Sequence, residues 1–593
     1  MRHIPFQGHA LTALILATAL PPLLAYNLTP SATLFNQLLA IAAWGLVLLL
    51  AGVRAAPLRA TWAVSAALAL MMLAALTSPG LNGLPWSLAL QGLALLLSAL
   101  LVLQLGASSV TATPLRPLAE PASSSSGSLW AGFCYGLLLL GLASLLIGIL
   151  QVFFPQFTDG NLIARSGIAG RAVGNLRQPN HLASLLMWAC VAAVWLSAAG
   201  RLGGAARRWL LPALLLGLVF GVVLSASRTG MIGVFLLALW GLLDRRIGRL
   251  ERWALMATPL MLALSWAALS GWSHASGQAF GAESRLAEGA GSPSRLAILA
   301  NAWTLLKMHP WTGVGWGEFN LAWTLTPFPD RPVAFFDHTH NIVMQLLVEL
   351  GWPLGLLVLG LLAWSVFAAW RASRHAQGEL ALMKRCAFMV VLMIGLHSLL
   401  EYPLWYAYFL LPTLFALGVC LAPQTQALDE GRADGRLLSA GALRLGGALM
   451  LAGSLFAVWD YLRVVDIYLP PAKAAPLEAR IERGQHSVFF AAQADYAAAT
   501  TLPSGPAALL AAQRTGHNLI DVRLMMAWSR SLAATGDVDR ARYVVARLRE
   551  FRSKQAEDWL AECPVLAEAG VAAAAQPFQC QAPQRVYGYR EMR

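Results

Sequence analysis

The chain has 593 residues, 58% of them hydrophobic and only 12% charged, with a formal net charge of +13. A soluble globular chain carries roughly 25% charged residues, so this deficit, with repeated apolar runs of about 20 residues that can each cross a bilayer, excludes a soluble protein. The basic residues cluster in short loops between those runs, as membrane topology requires, and this argues against a nucleic-acid partner.

The fold class predicted is an all-α polytopic membrane protein with about thirteen transmembrane helices. The expected spans are about 10–27, 33–53, 60–77, 85–105, 129–153, 181–199, 209–225, 229–243, 253–271, 341–369, 386–400, 403–422 and 440–463. The first follows Arg2 and His3 and imitates a signal peptide, but the later spans and the Pro21-Pro22 pair predict an uncleaved helix.

Every even-numbered exit is basic. Arg54 and Arg59 follow the second span, Arg116 lies in the linker after the fourth, and Arg201, Arg207 and Arg208 follow the sixth. Arg245, Arg246, Arg249 and Arg252 follow the eighth, Arg371, Arg374, Lys384 and Arg385 the tenth, and Arg432 and Arg436 the twelfth. The positive-inside rule places these exits and the N-terminus in the cytoplasm, and the odd-numbered exits and the tail outside it.

Three regions follow. Residues 1–128 hold the first spans and a linker, 106–128, whose Ala122-Ser-Ser-Ser-Ser-Gly127 run reads as flexible. Residues 129–463 form the membrane core, with a large outer loop at 272–339. Residues 464–593 form a soluble helical domain, in which Leu519–Ala534 and Val538–Phe551 are joined by Thr535-Gly536-Asp537 like one tetratricopeptide-type hairpin. Cys134, Cys190, Cys386 and Cys420 lie in apolar runs as small core residues. Cys563 and Cys580, in the tail, are expected to pair if that domain is outside the cytoplasm. No CxxC or Cys/His cluster points to a metal.

Five polar clusters fall on the outer side. In Gly174-Asn-Leu-Arg-Gln-Pro-Asn-His181, Asn180 reads as a helix N-cap, while Arg177 and Gln178 offer a charged fork and an amide to an anionic, hydroxyl-rich ligand. In Ser225-Ala-Ser-Arg-Thr-Gly230, Arg228 is a cation on the side where the topology rule disfavours one. Snorkelling is the ordinary fate of such an arginine, and a fixed anionic partner is the functional alternative. In the large loop, Arg295 stands at the start of a helix predicted over Leu296–Met308. It is either a solvated arginine or a cation beside free backbone N–H groups, which suits a phosphate. Gly313, Gly315 and Gly317 follow no strand, so they are no dinucleotide motif; tight turns beside aromatic rings are expected there.

The fourth cluster is Asp337-His338-Thr339-His340-Asn341. No carboxylate or cysteine set completes a metal site around its two histidines, whereas a histidine at a helix start is a natural general base near neutral pH. In the fifth, His397-Ser-Leu-Leu-Glu-Tyr-Pro-Leu-Trp-Tyr406, Pro403 forces a break and the aromatics read as an interfacial belt. Glu401 and Tyr402 are its functional candidates. Chemistry on an anionic, lipid-linked substrate at the outer leaflet follows.

His340-Asn341 with Gly351 beyond it, Ser227-Arg228-Thr229, and the run from Arg295 to Phe319 resemble motifs of the bacterial O-antigen ligase and polymerase superfamily. Asn175-Leu-Arg-Gln-Pro-Asn-His181 and Glu401-Tyr-Pro403 resemble the PglL-type protein O-oligosaccharyltransferases. The resemblance spans roughly 130–410 plus the tail. It implies an enzyme of the bacterial inner membrane whose site and C-terminal domain face the periplasm. Such an enzyme moves a preassembled glycan from undecaprenyl diphosphate to Ser or Thr of a periplasmic protein such as a pilin, with inversion and without metal or cofactor. His340 matches the essential histidine, Arg228 and Arg295 the diphosphate-binding arginines, and Gln178 and Tyr402 the subfamily's site residues. Glu401 joins His340 and Tyr402 as catalytic. Arg177, Asn180, His338 and Asn341 join the binding set, with His338 the alternative base. Partners are the lipid-linked donor, the acceptor protein and membrane lipid. The rival readings are an O-antigen ligase acting on lipid A-core, an O-antigen polymerase, and a lipid-linked glycan transporter.

Overall fold

A computed structural model describes residues 4–51, 56–111, 129–283, 293–329, 331–423 and 437–593. Arg2, His3, Arg54, Arg116, the serine run at 122–127, Arg432 and Arg436, which enter the reading above, lie outside the described residues.

The chain is helical. In order come α1 (Ile4–Leu23), α2 (Leu34–Leu50), α3 (Leu58–Asn82), α4 (Trp86–Thr111), α5 (Leu129–Phe153), α6 (Pro179–Ala198), α7 (Arg207–Ser225) and α8 (Arg228–Leu243). Then follow α9 (Arg249–Met256), α10 (Thr258–Ser276), α11 (Pro293–Met308), α12 (Phe319–Leu325), α13 (Ile342–His375), α14 (Gly378–Ser398), α15 (Ala407–Leu421) and α16 (Ala440–Tyr468). Among the described residues the sheet is confined to a two-residue ladder, Ala56 with Leu438 and Pro57 with Leu437.

Among the described residues eight helices, α3 to α7, α13, α14 and α16, are long and apolar enough to cross a membrane. The pair α9 and α10, bent by 42°, would make a ninth. The apolar parts of α1, α2, α8 and α15 are shorter, at 10–17 residues. Each expected span falls on one of these helices or on the bent pair. The protein is therefore a multi-pass membrane protein, while a count of thirteen crossings remains a proposal.

The chain divides into two compact units. The first comprises Met1–Ala66, Leu97–Ala290 and Leu361–Leu455. Its centre is α6, whose residues from His181 to Ser197 are buried around the whole circumference. A helix apolar on every side is a core helix. Small residues let its neighbours approach: a side chain at Gly141 of α5 would meet the Ala189 Cβ of α6 at 2.2 Å.

The second unit comprises Ala67–Leu96, Gly291–Gly360 and Phe456–Arg593. Within it α13 breaks at Gly351 (φ 73°, ψ 177°), and the loop after α11 enters the break. Val314 N donates to Val348 O (2.8 Å), Gly315 N to Glu349 O (3.1 Å) and Trp352 N to Pro310 O (2.8 Å). Gly313, Gly315 and Gly317 all have positive φ, as tight turns require. At Gly313, however, the neighbour that forbids a side chain is the Glu349 backbone of α13, not an aromatic ring.

The tail folds as α17 (Leu477–Gln485), α18 (Ala491–Thr501), α19 (Pro506–Thr515), α20 (Val522–Ala534), α21 (Val538–Arg549), α22 (Lys554–Leu560) and α23 (Glu562–Glu568). Helices α20 and α21 are the expected hairpin, turned at Gly536 (φ +88°) and capped by Asp537 on Arg540 N. A helical tail is observed; its likeness to a tetratricopeptide unit remains a proposal. Cys563 and Cys580 are joined by a disulfide.

Candidate functional site

In the first unit, three clusters far apart in sequence are tied together at the N-terminus of α6. Asn180 was expected to cap that helix. Instead Pro179 takes the first helical position, and the cap moves back to Gln178, whose side-chain oxygen accepts from His181 N (3.0 Å). A proline at N1 loses nothing there, because that N–H has no intrahelical acceptor. Asn180 is left for side chains. Its amide nitrogen donates to Glu401 Oε1 (3.1 Å), and its oxygen accepts from the Ser227 hydroxyl (2.7 Å). Ser227 in turn caps α8 by accepting from Gly230 N (3.1 Å).

Arg228 follows that cap at the first position of α8 and is half-buried. A cation at a helix N-terminus stands against the macrodipole, among backbone N–H groups that favour an anion. Glu401 is buried, and Tyr402 stacks on Tyr406 (6.0 Å between centroids).

Arg177 is employed differently from the expectation. Its terminal nitrogen Nη2 donates to Ala25 O (2.9 Å) and Gly160 O (3.0 Å), and Nη1 reaches Asn175 O (3.5 Å). Burial lowers its pKa from the ordinary value. This is a backbone staple, and the fork expected for a ligand is engaged inside the protein.

Several residues escaped the sequence reading. Buried Arg171 donates to Ser225 O (2.8 Å) and Ala226 O (3.5 Å), carbonyls at the end of α7 where a cation is favoured. It thereby holds the turn that leads into Ser227 and Arg228. His397 Nδ1 lies 2.7 Å from Ser184 Oγ, beneath Glu401. The His181 ring packs among Tyr406, Phe409 and His397, at 5.0, 5.0 and 5.8 Å.

The second unit carries the histidine pair. Asn341 caps α13 by accepting from Met344 N (3.0 Å). Thr339 N donates to Gln345 Oε1 (2.8 Å), and Gln345 Nε2 donates to buried Glu349 (3.0 Å). Gln345 and Glu349, one turn apart on α13, thus brace the loop from below; neither was singled out by motif. Asp337 lies 3.1 Å from His338 Nδ1. The surrounding protein works against ionisation of Asp337, but the His338 hydrogen bond and charge outweigh it and hold the carboxyl below its usual range. The His340 ring meets Phe336 edge-on (5.5 Å). Arg295 is half-buried in the first turn of α11.

Backbone strain marks the same places. Four non-glycine residues among those described have positive φ: Arg177 (57°), Ala226 (50°), His340 (55°) and Arg552 (46°). Three of them lie in the candidate clusters. Such a conformation costs about 1–3 kcal/mol and persists where the surroundings over-determine it, often at functional sites. Among the described residues no group of three or more His, Cys, Asp or Glu is placed to hold a metal.

Three families match successive stretches of the chain. The family described as a protein glycosylation ligase matches 172–196, the O-antigen ligase family 212–359, and the C-terminal part of the virulence factor membrane-bound polymerase family 386–562. All ten residues proposed from sequence fall inside these stretches. A general O-oligosaccharyltransferase of Acinetobacter baylyi is 28% identical over 270 residues, covering 44% of this chain and 45% of the relative. A ComP-specific O-oligosaccharyltransferase of the same organism is 26% identical over 283 residues, 46% of each. The chain thus spans about half the length of the curated relatives it matches. The resemblance read from short motifs extends over these stretches: the chain is similar to the O-antigen ligase and protein glycosylation ligase families and to O-oligosaccharyltransferases.

Proposed function

We propose that the protein is an O-linked oligosaccharyltransferase, moving a preassembled glycan from undecaprenyl diphosphate to a Ser or Thr hydroxyl of a periplasmic, pilin-like protein. One observation carries this reading. Asn180, Ser227 and Glu401 come from three stretches matched by three glycan-ligase or polymerase families, and they meet side chain to side chain. The disulfide of Cys563 and Cys580 supports a periplasmic tail, since such bonds persist in oxidising compartments.

In this mechanism His340 takes the proton of the acceptor hydroxyl as general base. The hydroxyl oxygen attacks the anomeric carbon opposite the diphosphate, the carbon–oxygen bond to the diphosphate breaks, and the configuration inverts. Arg228 and Arg295 stabilise the charge that develops on the leaving diphosphate, where preorganised cations help most. Gln178, Asn180, His338 and Asn341 are proposed to bind glycan or diphosphate, and Glu401 and Tyr402 to act in catalysis.

The test is reconstitution of the purified protein in liposomes with lipid-linked glycan, offered a pilin-like protein and lipid A-core as separate acceptors. Glycan on the protein alone is expected. Glycan on lipid A-core alone would establish the O-antigen ligase reading that the match over 212–359 also favours. Added chelator is expected to leave the rate unchanged; a loss restored by a divalent ion would return the histidine pair to a metal role.

A further inference from the structure

We propose that Arg331, which no motif singles out, is a positioning residue for His340, and that the helical tail holds it in place. The proposal rests on the reading of His340 as the base.

Arg331 lies in the loop between α12 and α13. Its side chain is 1% exposed, and Nε donates to Glu550 at the end of α21 (2.7 Å). Nη2 donates to Thr326 O. The guanidinium lies over Trp323, Phe551 and Phe328, at 4.6, 4.8 and 5.2 Å from the ring centroids. A planar cation can stack on rings and pair with a carboxylate at once, which a lysine cannot reproduce. Buried this deeply, it needs Glu550, because an unpaired interior charge is strongly unfavourable.

From this junction a line of rings leads to the histidine. Phe335 stacks on Phe551 of the tail (3.8 Å, interplanar 8°). Phe336 packs edge-on against Trp323 (5.9 Å) and against His340 (5.5 Å). A second strap fixes both ends of α12. At its start, buried Glu318 takes His517 Nδ1 (2.9 Å) and Arg593 (3.6 Å). At its end, Tyr543 OH donates to Leu325 O (2.7 Å). His340 has the left-handed backbone that only an over-determined setting sustains. The tail supplies that setting.

The alternative is a tail that merely recruits the acceptor protein. The two differ in what they do to turnover. In the full-length protein, Arg331→Ala is expected to lower kcat by about tenfold to a hundredfold, the scale of a misplaced catalytic group. The fall should be equal on a whole acceptor protein and on a short Ser/Thr peptide, with KM for each within about twofold of wild type. Arg331→Lys, which keeps charge without the planar stack, should recover only part of the loss. Hydrogen exchange should rise over 335–341 and stay unchanged over 477–501. A rise in KM for the whole protein alone, with kcat intact on both acceptors, would overturn the proposal. Should Arg331→Ala not fold, Phe551→Leu tests the same line of contacts by the same readouts. If His340→Ala retained full transfer, the base reading would fall by itself. Exchange at 335–341 would still show whether Arg331 orders the loop, and unchanged exchange there would overturn the proposal independently.

Discussion

The Asn180 amide nitrogen donates to the Glu401 carboxylate across 3.1 Å, though 221 positions separate the two residues in the chain. Both are partly or fully buried, and Ser227 completes the set from a third stretch. Asn180→Ala is expected to lower stability by about 1–3 kcal/mol, because it removes two hydrogen bonds made to buried groups; thermal unfolding in detergent measures this. Glu401→Gln keeps an oxygen that can accept from Asn180. If Glu401 acts in catalysis, that variant unfolds at the wild-type temperature and transfers slowly. Wild-type transfer would reduce Glu401 to a structural acceptor.

His340 separates chemistry from strain. His340→Ala and His340→Gly both remove the imidazole and should reduce transfer about 10²- to 10⁴-fold, the range of general-base catalysis. Glycine accepts φ 55° without penalty, so His340→Gly should be more stable than His340→Ala by about 1 kcal/mol. Equal stabilities would indicate that the loop relaxes once the ring is gone.

Gly351 admits no side chain. A Cβ there would lie 2.7 Å from Gly313 N and from the Trp311 carbonyl, at φ +73°. Gly351→Ala is expected to displace the 309–317 loop and to lower the yield of folded protein. The conformational cost alone is about 1–2 kcal/mol. Wild-type yield and melting would show that the break in α13 adjusts freely.

Acid should weaken the second unit through His309. Burial first, then the charges of Arg590 and Arg593, hold its imidazole below the ordinary value of 6.5. The unfolded chain therefore binds the proton more readily. Stability rises with pH through this window and falls as pH drops below about 6.5. His309→Gln should flatten that part of the unfolding profile.

The disulfide closes a loop with a sequence separation of 17. Closing about 15 residues is worth about 3 kcal/mol in the chain-entropy account. Cys563→Ser with Cys580→Ser, or reductant, should cost the tail that order of stability and leave the membrane helices unaffected. Circular dichroism with proteolysis across 554–593 reads the difference.

Apolar length made the helical spans legible, and the residues after Asn341 open α13 as expected. Pro179 also carried a usable signal: read as N1, it would have moved the cap from Asn180 to Gln178. Arg171 and Arg331 were not legible. Their partners are carbonyls or side chains brought near by folding, and no period in the sequence records a pairing such as Arg331 with Glu550. Gln345 and Glu349 do stand at the i, i+4 helical spacing, but that spacing alone does not show that Gln345 also holds Thr339 N. The backbone partners of Arg177 were not legible either, since Ala25 belongs to another loop and Gly160 lies 17 positions earlier in its own.

The straps on α12 and its loop also fix an order in time. Val314 is synthesised 275 residues before Tyr589, whose hydroxyl it accepts, and Glu318 199 residues before His517. At about 5–20 residues per second, the first of these waits lasts on the order of 15–55 s. Throughout it the nascent loop is without its later partners. The stretch that carries His340 is made in the middle of translation and completed near its close.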